Sequence, residues 1–204
     1  NKIRSVAELV EMYYGSVGRG CNLILNGNID RDGLVPQADL KRLQEFGDEI
    51  RRRFGKSIAE TSGRGTAVEL ALANPTTIDH VISMEQITEG ERIRQYVLEG
   101  LVGDSWTELA RGQSIGHKRI DRFTPVTVMK VRLRATESVA EPVIRKLAVY
   151  HVASSAGPQP AAAKPSGWGV RQVLVGEPTQ PRVLLIGDSI LGGYHAKAAE
   201  LLRG

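Results

Sequence analysis

The sequence predicts a mixed α and β chain in three parts: a helix-strand-helix piece of an α/β layer or barrel, an all-β sandwich, and the opening of a second α/β unit. Three observations point there. An uninterrupted apolar run, Leu23-Ile24-Leu25, lies between two segments with helical periodicity. From Val68 onward the period shortens to two, and turn-forming dipeptides recur. Near the end, Val183-Leu184-Leu185-Ile186 runs into Gly187-Asp188-Ser189, and another helical pattern follows.

The first helix opens at Ser5-Val6-Ala7-Glu8. Ser5 can cap the amide of Glu8, whose carboxylate can reach back to the amide of Ser5. Val6, Leu9, Val10, Tyr13 and Val17 recur at helical spacing and predict one apolar stripe. Gly15, Gly18 and Gly20 release the helix. Asn22 to Asn26 is apolar at each interior position, as in a parallel-sheet strand covered on both faces. Asp32-Gly33 predicts a turn, and a helix is expected from near Pro36, a residue suited to a first turn. Asp39 suits the positive end of its dipole and Arg51-Arg52-Arg53 the negative end. Leu40, Leu43, Phe46, Ile50 and Phe54 are its expected buried face, and Gly55 its stop.

Val68, Leu70 and Leu72 alternate with polar or small neighbours. Further short strands are expected at His80 to Glu85, Ile93 to Glu99, Ser105 to Ala110, Thr127 to Arg134 and Arg145 to His151. Turn signals separate them at Gly63-Arg64-Gly65, Asn74-Pro75, Glu89-Gly90, Gly103-Asp104, Arg111-Gly112 and Glu141-Pro142. Strands at this density predict a sandwich. Ala153 to Gly169 is rich in Ala, Pro, Ser and Gly and reads as a semi-extended linker. The expected limits are therefore 1–56, 57–152, 153–169 and 170–204.

Composition bounds function. Hydrophobic residues make up 41% and charged residues 25%, as in ordinary globular chains. No run approaches membrane-spanning length. The net charge of +4 is spread along the chain, and aromatics are only 5%, so a nucleic-acid interface is not expected. Cys21 is the single cysteine, which excludes an internal disulfide framework and reads as a small buried hydrophobe. His80, His117, His151 and His195 lack metal-ligand spacing, so neither metal nor cofactor is expected. The first residue is Asn1, and the chain reads as an excerpt of a longer product.

Several segments in fixed order carry a family resemblance. Gly20-Cys21-Asn22-Leu23-Ile24-Leu25-Asn26 is followed by Asp32-Gly33, then Arg42-Leu43-Gln44-Glu45-Phe46-Gly47, then Ile58-Ala59-Glu60-Thr61. The series continues through Ile78-Asp79-His80-Val81 and Glu91-Arg92-Ile93 to Gly112-Gln113-Ser114-Ile115-Gly116-His117-Lys118-Arg119. Together these resemble the C-terminal part of the retaining alpha-L-fucosidases, over Asn1 to His151. The resemblance implies the closing strand and helices of a (β/α)8-like barrel, then a C-terminal β-sandwich. It also implies fucosylated glycans as partners, Asn26 as a residue at the rim of the sugar pocket, and a secreted or periplasmic setting. Ile29 stands where that family usually has Pro. The family's two catalytic carboxylates come from earlier barrel strands, so Glu11, Asp30 and Asp32 are read as surface and turn charges. The excerpt alone is expected to be inactive.

The apolar strand before Gly187-Asp188-Ser189-Ile190 resembles the first block of the SGNH, or GDSL-type, hydrolases. That resemblance implies Ser189 as an esterase nucleophile whose own amide helps stabilise an oxyanion. His195 falls in the following helical pattern and reads as a surface residue. Two alternatives stand beside the fucosidase reading. The sandwich is a carbohydrate-binding or purely structural module, or the chain is part of an SGNH esterase acting on acylated carbohydrate. For the binding alternative, His117-Lys118-Arg119, Arg132 and Arg134 are candidate donors to a sugar or acidic glycan, and Trp106 is a candidate stacking face. The simpler reading of these residues is polar strand faces with Trp106 in the core.

Overall fold

The computed structural model describes residues 3–27 and 29–152. The expected linker, the SGNH-like start and Ser189 lie outside the described residues. Two helices, α1 (Val6–Gly15) and α2 (Gln37–Phe54), precede six strands: β1 (Ala59–Arg64), β2 (Ala67–Glu85), β3 (Ile93–Val102), β4 (Ser105–Gly112), β5 (Arg119–Ser138) and β6 (Val143–Tyr150). Among the described residues no helix is long and apolar enough to cross a membrane. These residues fall into two compact units: 3–6, 24–27 and 29–48 in one, and 7–23 and 49–152 in the other.

The smaller unit is built from a turn and the first part of α2. Asp30 organises the turn: its Oδ1 accepts the amides of Asp32 and Leu34, both at 2.9 Å. Its own amide donates to the carbonyl of Leu34 at 2.8 Å. Gly33 takes φ +77°, a conformation that costs other residues about 1 kcal/mol or more. The expected Asp32-Gly33 turn is therefore present. Helix α2 starts one residue after Pro36, whose carbonyl accepts the amides of Asp39 and Leu40. Arg42 pairs with Glu45 at 2.9 Å and donates to the carbonyl of Arg4.

Two expectations fail in this region. Residues 21–27 form no strand, and the expected cover goes with it: Ile24 is 73% exposed, and Cys21 is exposed rather than buried. A strand exists through its ladder. An apolar run signals a wish for burial, and no described residue supplies the neighbouring strand. Likewise no residue of α2 is buried: Leu43 is 39% exposed, and Phe46, Ile50 and Phe54 are half-buried.

In the larger unit α1 buries Leu9, Val10 and Tyr14. The expected stripe had Tyr13 in place of Tyr14, but a step of four from Val10 selects Tyr14. The strands form one antiparallel sheet in the order β1-β6-β2-β5-β3-β4. Strands β2 and β5, of 19 and 20 residues, carry it. The first part of β2 pairs Ala67 to Ala71 with Arg134 to Lys130. Its last part pairs His80 to Ser83 with Arg122 to Arg119 on one side and with Tyr150 to Leu147 on the other. Irregularities fall between Ala71 and Thr76 and between Ile78 and His80.

Asn74-Pro75 sits in the first of these, so the expected turn does not end a strand. Proline has no N–H for a ladder, and a bulge is where the ladder asks for none. The segments expected as two short strands are therefore one long bent strand, and β5 likewise begins at Arg119 rather than Thr127. Arg111-Gly112, expected as a turn, closes β4 instead.

Side chains from β2, β3, β5 and β6 meet in one apolar cluster, with Ile78, Leu98, Val131, Leu147 and Val149 fully buried. Core side chains crowd against the backbone at Gly100. A Cβ there would lie 2.6 Å from Val128 Cγ1 and 3.0 Å from Leu109 Cδ1. Val128 is 1% exposed and β-branched, so it has little room to yield. Gly100→Ala is expected to lower stability by about 1–3 kcal/mol. The check is a urea midpoint that falls while the slope of the transition stays the same.

Candidate functional site

Polar groups buried within an apolar sheet are held by specific partners, and they are where chemistry concentrates. The larger unit contains three such systems. The first joins α1, the end of α2 and β2. His80 is 8% exposed, with Asp79 Oδ1 at 2.7 Å from Nδ1 and the Tyr14 hydroxyl at 2.8 Å from Nε2. Arg53 Nη1 donates to the Tyr14 oxygen at 3.1 Å, and the amide of Val152 donates to Asp79 Oδ1 at 2.8 Å. Burial is the chief influence on His80 and holds it below its usual 6.5, against the raising effect of Asp79. A neutral ring donates from Nδ1 to the carboxylate and accepts at Nε2. The chain of donors therefore runs Arg53 to Tyr14 to His80 to Asp79.

The order hydroxyl, imidazole, carboxylate is that of a nucleophile relay, but its surroundings prevent that use. Tyr14 is 6% exposed, burial pushes its phenol up, and Arg53 occupies its oxygen. Phe54 closes the cluster edge-on, with ring centroids 6.0 Å from Tyr14, 5.8 Å from His80 and 5.5 Å from Tyr150. The system locks helices to the sheet.

The second system is on β3 and β5. The Tyr96 hydroxyl donates to both oxygens of Asp121, at 3.0 and 2.8 Å, and Arg119 Nε donates to Oδ1 at 3.1 Å. Burial raises Asp121 above its usual value, while Tyr96 and Arg119 oppose the rise. In the third, Glu85 is 1% exposed and collects three backbone amides. Arg92 and Ile93 donate to Oε1 at 2.8 and 3.1 Å, and Gly116 donates to Oε2 at 2.8 Å. Nothing local in the chain warns of either carboxylate's partners. Asp79-His80 was visible as a polar pair inside an apolar run, but Tyr14 lies 66 residues away.

The candidates singled out from sequence each have surroundings of their own. Asn26 is exposed in the irregular segment 21–27. Glu11 pairs with Arg122 at 2.7 Å on the surface, and Asp30 and Asp32 belong to the turn. Trp106 is half-buried on edge strand β4, not in the core, with the Arg132 guanidinium 4.1 Å from its ring centroid. Arg132 and Arg134 both pair with Glu99, at 2.9 and 3.3 Å. His117, Lys118 and Arg119 diverge: Lys118 donates to the Tyr13 hydroxyl at 2.9 Å, and Arg119 serves Asp121. A pocket of about 500 Å³ opens between α1 and strands β4 and β5, lined by both acidic and basic side chains.

No protein-family model matches the chain. Its homologues are nevertheless plain: they are glycoside hydrolases. More narrowly, they are alpha-L-fucosidases, family 29 among them. The Arabidopsis thaliana alpha-L-fucosidase 1 is 24% identical over 184 residues, which is 72% of this chain and 36% of that protein. A Bacteroides thetaiotaomicron protein assigned as an alpha-L-fucosidase has a crystal structure that matches with TM-score 0.72 and 42% identity. The match covers 74% of this chain and 35% of that one. A Ruminococcus gnavus family 29 fucosidase solved with fucose matches with TM-score 0.65 and 27% identity, over 74% of this chain and 37% of that one. The chain thus spans little more than a third of these relatives.

Proposed function

We propose that the chain is the C-terminal part of a retaining alpha-L-fucosidase joined to the start of an SGNH-type esterase domain. Residues 1–56 are the closing strand and helices of its catalytic barrel, and 57–152 its C-terminal β-sandwich. Residues 153–169 are a linker, and 170–204 the opening of the esterase domain. The observation that carries the reading is the 42% identity to a fucosidase structure over 74% of this chain but only 35% of the other.

The exposed apolar segment 21–27 supports it, because barrel staves outside this chain would supply the missing ladder. Retaining hydrolysis needs one carboxylate to attack the anomeric carbon and another to protonate the leaving oxygen, about 5 Å apart. Both come from those absent staves, and Asn26 sits at the rim of the fucose pocket they form. The sheet buttresses the barrel through the Tyr14-His80 lock, and Ser189 is the nucleophile of the esterase.

The purified 204-residue chain is expected to release nothing from an aryl alpha-L-fucoside above a vector control, while the full-length parent turns it over. In the parent, Ser189→Ala should abolish ester hydrolysis and leave fucoside turnover unchanged. Turnover by the chain alone overturns the placement of both catalytic carboxylates outside it, and none by the parent overturns the fucosidase reading. Ester hydrolysis that survives Ser189→Ala overturns the esterase assignment.

A further inference from the structure

The pocket between α1 and strands β4 and β5 is lined by Arg19, Arg111, Arg119 and Arg122, with Glu11 and Asp121 as its acids. Four arginines against two acidic residues give the lining an excess of positive charge. Three of the four arginines already have partners. Arg122 grips Glu11 at 2.7 and 3.1 Å, Arg111 grips Glu108 at 2.6 and 2.5 Å, and Arg119 donates one N–H to Asp121 at 3.1 Å.

Arg19 differs from the rest. It ends the short 3-10 helix Val17–Arg19, is exposed, and has no side-chain partner among the described residues. Its field reaches Asp121 and helps lower that carboxyl. A guanidinium without an acceptor, beside another with N–H groups to spare, suits a planar oxyanion held by paired bonds.

From this geometry we infer that the pocket binds the oxyanion of an acidic saccharide, either a sugar carboxylate or a sulfate ester. The saccharide part rests on the carbohydrate-active reading above; the oxyanion part rests on the arginines. The pocket is large enough for one sugar unit. Its aromatic wall, Tyr14, is already covered by Arg122 at 4.2 Å from the ring centroid, so no face is open for a neutral pyranose to stack on. Recognition therefore rests on charge.

Calorimetric titration of the 204-residue chain tests this with four probes: galacturonate, galactose 6-sulfate, galactose and inorganic sulfate. At least one acidic sugar should saturate, tighter than galactose and tighter than inorganic sulfate, and should weaken severalfold as salt rises from about 0.05 to about 0.5 M. The arm that saturates identifies the group as carboxylate or sulfate. Arg19→Gln should weaken it about tenfold or more with unchanged circular dichroism, and Arg19→Lys less, because the point charge remains. Saturation by neither acidic sugar, or affinity indifferent to Arg19→Gln, overturns the site. Galactose or inorganic sulfate binding as tightly as the acidic sugars overturns the acidic-saccharide assignment. The neutral aryl fucoside assay on the parent is independent, so failure here with an active parent sinks the pocket alone.

Discussion

Glu85→Ala is expected to lower the stability of the β-rich unit by about 3–5 kcal/mol. The physical reason is the count of donors it leaves behind. Removing one partner from a buried hydrogen bond costs about 1–3 kcal/mol for each group left unsatisfied. Glu85 serves three backbone amides at once, those of Arg92, Ile93 and Gly116. Two of the three cannot turn elsewhere. Ile93 is 1% exposed, and Gly116 takes φ +59° in a loop whose carbonyl also accepts the amide of Glu85 at 2.9 Å.

Glu85→Gln is the informative companion. It keeps the volume and one acceptor, but sets an amide N–H₂ against one of the backbone donors. Its loss should fall between wild type and Glu85→Ala. Thermal melts followed by far-ultraviolet circular dichroism read the series, with a fall of about 10–20 °C for the alanine variant. A melt within about 3 °C of wild type would show that water replaces the carboxylate, and would remove Glu85 as the tie between the loops before β3 and before β5.

What the sequence revealed and what it hid divide along one line. Period-two alternation at Val68, Leu70 and Leu72 is a local signal, and those three residues are buried as it predicts. Pro75 is a local signal too, but it reports only a missing donor, and a turn and a bulge leave the same mark. Leu23-Ile24-Leu25 shows the limit from the other side. Apolar character states that a segment needs cover, and cannot say whether cover is at hand; Ile24 is exposed. The buried polar systems were least legible. Tyr96 and Asp121 are 25 residues apart and Tyr14 and His80 are 66 apart, so nothing local marks them as pairs. The arginine pocket was hidden for the same reason, since α1, the 3-10 helix, β4 and β5 each contribute only part of it.

The second large effect concerns His80 and pH. Burial depresses its folded-state value below the unfolded 6.5. Between those two values the unfolded chain binds more protons than the native one, so stability rises with pH through that window. The contribution is complete above about 6.5 and is lost as pH falls toward the folded value. Structure gives the cause: the ring is buried between the Tyr14 and Phe54 rings, and the charges of Arg53 and Arg122 further disfavour a proton on it.

Other groups act elsewhere or in opposition. Glu11, Glu49 and Glu99 are held below 4.5 by arginine partners, so their stabilisation fades only at more acid pH. Asp121 has the reverse sign: raised above 3.8, it favours the folded state in acid and loses that effect as pH rises. A limb along which stability begins to fall as pH drops below about 6.5, before these carboxylates titrate, is therefore His80's signature. His80→Leu should flatten that limb and also cost about 2–4 kcal/mol at neutral pH, because Tyr14 and Asp79 lose their shared partner. Tyr14→Phe, which keeps the ring packing and removes one hydroxyl, should cost about 1–2 kcal/mol and leave the limb in place. Urea unfolding at a series of pH values measures all three chains. A limb that persists unchanged in His80→Leu would show that the pH response has another source, and that the donor chain from Arg53 to Asp79 is not what couples the helices to the sheet.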